Sequence, residues 1–310
     1  MRHVITLCFI VGIFFSCSSD QSAVSKNKSS AERGVHIVTT TGMLKDLVEN
    51  LSPKEFKVSA LMGPGVDPHY YKASQGDLVQ LQEASLIIYN GLHLEGKMGE
   101  VLKHLAKRKH VWEAGSVLTK EEIRQTGEFV SGIDPHFWFD VNIWKHVCKG
   151  MSLKLQEEFP RYKEDIVKNE KEYLERLNIL DLTIKEELSK LPKENRVLFT
   201  AHDAFGYFGR AYDVEVMALQ GLSTTTEFGL KDVQNTVETI IEKKIKAIFV
   251  ESSVSPKAIQ AVVEQCAKHE YTVAIGGELF SDAMGDFGTP EGTYIGMLEH
   301  NLYTFVNAIK

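Results

Sequence analysis

The chain has 310 residues, 43% of them hydrophobic and 25% charged, with a formal charge of −7. That length exceeds what one small core needs and suggests two domains of an ordinary soluble globular protein. The mild acidic balance argues against nucleic acid as a partner, because phosphate binding wants a basic face, and it suits capture of a cation.

Arg2 and His3 precede the apolar run Val4–Phe15, which ends at Ser16 and Cys17. A positive head, an apolar stretch too short to span a bilayer as a stable helix and a small residue at the break have the order of a secretory leader. Residues 1–16 are therefore expected to be removed. A run that stops at cysteine resembles the lipobox of bacterial lipoproteins, with Phe14 and Phe15 in place of its usual Leu and small residue. That resemblance implies acylation of Cys17. An uncleaved anchor and an ordinary secretory signal are the alternatives. Ser18–Arg33 is rich in Ser, Lys, Asn and Gln with almost no large apolar residue, so 17–34 reads as a flexible tether. Beyond Cys8 and Cys17 only Cys148 and Cys266 remain, in helical patterns of different halves, and they are expected to be buried free thiols.

From Val35 onward short β-branched runs alternate with amphipathic stretches. Strands are predicted at Val35–Thr40, Lys57–Met62, Leu86–Asn90 and His110–Ala114, then at Arg196–Ala201, Val214–Leu219, Ala247–Ser252 and Thr272–Gly277. Helices such as Met43–Leu51, Leu230–Lys243 and Pro256–His269 separate them. Strand–helix–strand alternation implies right-handed crossovers and parallel sheets covered by helices. Between the two sets, Tyr162–Leu191 has no Gly or Pro, and Ile166, Tyr173, Leu174, Leu177, Leu180, Ile184, Leu188 and Leu191 form one apolar stripe. A helix of that length extends about 45 Å, the size of a whole domain. A coiled-coil segment would carry the same stripe. Its place between two α/β halves favours a backbone helix packed along both. The expected fold is α/β: two lobes (35–160 and 192–310), each a four-stranded mainly parallel sheet flanked by helices, joined by one long helix over 161–191.

Asp-Pro-His occurs twice, at Asp67-Pro68-His69 and Asp134-Pro135-His136. Proline stiffens each loop and aims the following imidazole, and the preceding Asp is placed to fix its tautomer. One such tripeptide could be a simple turn on the surface. Repetition at equivalent strand ends favours metal ligation by His69 and His136. His202 follows the strand Val197–Ala201, at the carboxyl edge where open α/β sheets place ligands. Asp282 follows the last strand. By itself it fits a helix N-cap better than a metal ligand, and its weight comes from lying in the fourth of four corresponding loops. Glu251 ends its strand at the same edge, as a partner to the site or as part of a helix cap. His93 reads as packing beside the first sheet.

Several segments resemble the metal-receptor family of ABC importers, and among these the TroA-like zinc/manganese receptors. They are Gly63–Tyr70, Ile88–Glu95, Ile133–Trp138, Thr200–Phe208 and Gly292–Ile295. The likeness runs from Val35 to the C-terminus. It implies one divalent ion, zinc or manganese, held in the cleft by His69, His136, His202 and Asp282. It also implies an extracytoplasmic, lipid-anchored monomer serving a membrane permease with a cytoplasmic ATPase. Many manganese-selective members have Glu as third ligand, where this chain has His202. Typical zinc-selective members carry a His-rich loop, whereas Leu118–Gly132 contains no His. The two departures point in opposite directions and leave the metal open between zinc and manganese. A zinc hydrolase would need an open coordination position and a nearby base, as in His-Glu-x-x-His. No such motif is present. A surface adhesion lipoprotein would leave four placed ligands unexplained.

Overall fold

The structure, a computed structural model, describes residues 34–126, 132–225 and 228–310. The expected leader, Cys17 and the tether up to residue 33 lie outside the described residues, as do positions 127–131 of the stretch without histidine. Among the described residues no helix is long and apolar enough to cross a membrane.

The first half alternates as predicted: β1 (His36–Thr39), α1 (Gly42–Leu51), β2 (Lys57–Ala60), α2 (Gln75–Glu83), β3 (Leu86–Tyr89), α3 (Gly99–Leu105) and β4 (Val111–Glu113). Its strands form one parallel sheet in the order β2-β1-β3-β4. Ile37, Val38, Leu86, Ile87 and Ile88 are wholly buried, as strands covered on both faces must be. Helix starts follow the side chains on offer. Thr41 accepts the N–H of Leu44 to open α1, and Ser74 with Asp77 forms a capping box on α2.

Asp140 opens α4 (Val141–Glu158) by accepting the N–H groups of Asn142 and Ile143. The long helix, α5, spans Lys163–Ser189, slightly less than predicted, because Pro160–Tyr162 forms a separate 3-10 turn before it. Its buried stripe, Ile166, Tyr173, Leu177, Leu180, Ile184 and Leu188, packs on α1 and α4 on one side.

The second half consists of β5 (Val197–His202), α6 (Gly206–Tyr212), β6 (Glu215–Gln220), α7 (Leu230–Glu242), β7 (Ala247–Glu251), α8 (Lys257–Lys268), β8 (Ala274–Leu279) and α9 (Tyr294–Ile309). Helix α5 also packs on α6 and α9 of this half. The four strands are all parallel but form two ladders, β5 with β6 and β7 with β8, with β5 lying beside β7. Strand β8 runs through Gly276 and Gly277 instead of ending there. A Cβ at Gly276 would strike the Phe249 ring, so this glycine serves close packing and not chain termination.

One apolar core lies beneath α5 and takes side chains from both halves, among them Leu47, Trp144, Tyr207 and Leu298. Trp144 stacks on Tyr294 with ring centroids 4.8 Å apart. A second core sits under α7 and α8, around Val237, Ile240, Ile259 and Val262. Cys148 and Cys266 are buried free thiols in different cores, as expected.

Candidate metal centre

Loops at the carboxyl ends of strands from both halves converge on one buried point. His69 lies between β2 and α2, His136 between β4 and α4, His202 ends β5, and Asp282 follows β8. All four sequence-predicted residues are brought together, and their donor atoms lie within 4.8 Å of one another.

The two Asp-Pro-His loops are built differently. Asp67 Oδ1 accepts the backbone N–H of His69 at 2.8 Å, and its other oxygen accepts Thr224 Oγ1 at 2.6 Å. Asp134 Oδ1 instead accepts the N–H of His136 at 2.9 Å and also lies 2.8 Å from its ring Nδ1. The second loop is further held by Asn90, whose Nδ2 donates to Pro135 O at 3.0 Å. Buried Glu95 accepts the N–H groups of Asn90 and Gly91 and so fixes the end of β3 beneath that loop. On the other side, Glu251 accepts the N–H of His202 through Oε1 at 2.9 Å and places Oε2 2.6 Å from its Nδ1. Asp282 starts no helix, which removes the capping reading. The loop before it is pinned across the halves by Trp138 Nε1, which donates to Ser281 O at 3.1 Å.

With Nδ1 of His136 and His202 turned to carboxylates, their Nε2 atoms face inward. His136 Nε2 lies 3.4 Å from His69 Nε2 and 3.3 Å from Asp282 Oδ1. Asp282 Oδ2 lies 3.5 Å from His69 Nε2 and 3.3 Å from His202 Nε2. A tetrahedron with arms of ~2.0–2.1 Å, the zinc–nitrogen and zinc–oxygen length, has edges of about 3.3–3.4 Å. The four spacings, 3.3–3.5 Å, lie close to such edges, with the contacts shared between the two Asp282 oxygens. Both Asp282 oxygens and His202 Nε2 are buried without a hydrogen-bond partner, a cost that folded proteins rarely accept without a ligand.

The electrostatics separate the rings. Burial pushes His69 down to about 3, against the pull of Asp282. Burial opposes charge on His136 too, but Asp134 and Asp282 prevail and raise it to about 9. His202 is likewise buried, yet Glu251 and Asp282 raise it well above the usual imidazole range. Asp282 resists burial and is held well below the carboxylate range by His202, His136 and His69.

His93, expected against the sheet, is exposed at φ 70° in the turn after β3. Glu251 is confirmed at the ring of His202. Thr224, Arg124, Asp203 and Tyr207 escaped the sequence reading. Asp203 had one signal, its place beside His202, while Arg124 bonds Asp134 and Asp203 from a segment with no motif.

Two α/β halves on one long helix, with three imidazoles and a carboxylate closed between them, define a metal-binding receptor of the solute-capture kind. The chain belongs to the family described as zinc-uptake complex component A, periplasmic, whose model matches residues 37–308. Members of this family are metal-binding solute receptors, not enzymes. The chain is 45% identical over 294 residues to the manganese-binding lipoprotein MntA of Bacillus subtilis (strain 168), covering 95% of this chain and 94% of that one. It is 44% identical over 273 residues to the zinc-binding protein TroA of Treponema pallidum (strain Nichols), covering 88% of each. The solved structure of the Treponema pallidum periplasmic zinc-binding protein superposes with a TM-score of 0.87, covering 89% of this chain and 99% of that one.

Proposed function

We propose that the chain is the substrate-binding component of a metal ABC importer, which captures one zinc or manganese ion and delivers it to a membrane permease driven by a cytoplasmic ATPase. His69 and His136 from the first half, with His202 and Asp282 from the second, are the ligands. The observation that carries this reading is the set of four buried donors within 4.8 Å of one another, two of whose residues have no other partner for their inward atoms. Family membership and the zinc- and manganese-binding relatives support it.

The ion ties the halves together, because each contributes two ligands. Residues 35–160 and 192–310 act as the two lobes and 161–191 as the rigid connection. The apolar core shared beneath α5 favours a small closure over wide opening. Release then needs one ligand to leave. Three imidazoles suit zinc, and the second oxygen of Asp282 offers the extra position that manganese favours. The protein acts outside the cytoplasm as a monomer, tethered through residues 17–34 by acylated Cys17 once residues 1–16 are removed.

Thermal unfolding with added metal tests the reading. A ligand that binds only the folded state adds about 4 kcal/mol at a thousandfold excess over Kd. Zinc or manganese should raise Tm and a chelator should reverse the gain. Magnesium, which prefers oxygen ligands and keeps its water, should leave Tm unchanged at matched concentration. An equal rise with magnesium, or no rise with either transition metal, would contradict the site.

A further inference from the structure

We propose that Arg124 is a positioning residue of the metal site, a cation that locks the inner histidines of the two halves into register. The proposal rests on metal binding by the four-residue cluster. Arg124 Nη1 donates to Asp134 Oδ2 at 2.7 Å and to Asp203 Oδ2 at 3.3 Å. Asp134 is the carboxylate whose other oxygen meets His136 Nδ1, and Asp203 is the next residue after His202. One guanidinium nitrogen therefore stands between the orienting carboxylate of a first-half ligand and the chain that carries a second-half ligand.

Other features build a socket around this contact. Tyr207, at the start of α6, accepts the backbone N–H of Arg124 through its hydroxyl at 3.0 Å and donates to Asp134 O at 3.1 Å. A Cβ at Gly206 would collide with the guanidinium, so the absence of a side chain there makes room for it. Charge gives the reason for an arginine. Asp134, Glu251 and Asp282 are fully buried carboxylates at the site, and a divalent ion answers only two of their three charges. Arg124 supplies the third, and its Nη1 fixes Asp134 in the orientation that presents His136 Nε2 inward. Removing a group that orients a metal ligand typically costs 10–100-fold in metal affinity.

The test uses the full chain loaded with cobalt(II) for its visible absorption bands and with zinc for release to a chelator. Arg124→Gln should shift the cobalt bands and speed zinc release about tenfold. Asp203→Asn should speed release less, and its effect should vanish in the Arg124→Gln background. Arg176→Ala cuts a bond away from the site, from Arg176 Nη1 on α5 to Asn50 Oδ1 on α1 at 2.8 Å, and should release zinc as the unaltered protein does. Bands and release unchanged in Arg124→Gln would overturn the proposal. So would an Arg176→Ala protein that reproduces the change, since general loosening would then explain it. Should Arg124→Gln fail to fold, Asp203→Asn decides alone: faster release supports the cross-half contact and unchanged release overturns it. Failure of the unaltered protein to take up cobalt or zinc would instead sink the metal reading beneath it.

Discussion

The same tripeptide, Asp-Pro-His, builds two unlike halves of one site. At His136 the aspartate reaches the ring, the loop is held by Asn90, and the imidazole is wholly buried and driven up to about 9. At His69 the aspartate stops at the backbone N–H and turns to Thr224 instead, and the imidazole is driven down to about 3. Identical residues thus give a ring that binds a proton tightly and a ring that stays neutral. What separates them is the reach of one oxygen: Asp134 Oδ1 meets both the N–H and the ring Nδ1 of His136, whereas Asp67 divides its oxygens between the N–H of His69 and Thr224. His136, with its carboxylate and Asn90 beneath it, is the fixed member of the pair. His69, driven down by burial, has no carboxylate among the described residues on its ring Nδ1 to hold it in the same way.

The two aspartates should therefore answer differently to the same change. Asp134→Asn removes the charge that orients and polarises His136 and should weaken zinc binding by 10–100-fold, on the order measured for groups behind a liganding histidine. Asp67→Asn keeps an oxygen for the N–H of His69, gives up the bond from Thr224 and alters no ring contact, so it should cost only about threefold. Competitive titration of both variants against the unaltered protein checks this. Equal losses would erase the distinction.

Proton release sharpens the same comparison with a smaller signal. A histidine must be neutral to bind metal, and at pH 7 a ring with its pKa near 9 carries a proton while one near 3 does not. Zinc binding in weak buffer at pH 7 should therefore expel the proton of His136, and affinity should fall as pH drops below about 9. With zinc in saturating excess, His136→Gln should lower the release by about one proton per ion, whereas His69→Gln should leave it unchanged. A loss of release in His69→Gln, or none in His136→Gln, would reverse the assignment of the two rings.

Much of this was legible in the sequence because the signals are local. The stripe of α5, the alternation of strands and helices and the stiff prolines before His69 and His136 are each visible within a few residues. His202 and Asp282 were found through their common place at strand ends, a property of topology that parallel sheets impose. What stayed hidden depends on pairs far apart in the chain. Arg124 meets Asp203 across 79 residues and Thr224 meets Asp67 across 157, and nothing in either segment announces its partner. The division of the second sheet into two ladders was equally hidden, since strand composition reports burial and not which neighbour accepts each N–H. Gly276 and Gly277 misled for a related reason. Glycine pairs usually stop a strand, but here one of them makes room for Phe249.

The central claim, that His69, His136, His202 and Asp282 hold one ion between the halves, is tested most directly by zinc-edge X-ray absorption on the full chain loaded with one zinc. Four nitrogen or oxygen neighbours at ~2.0–2.1 Å with the outer-shell pattern of three imidazoles are predicted. A shell of water-like oxygens without imidazole scattering, or sulfur at ~2.3 Å from Cys148 or Cys266, would contradict it.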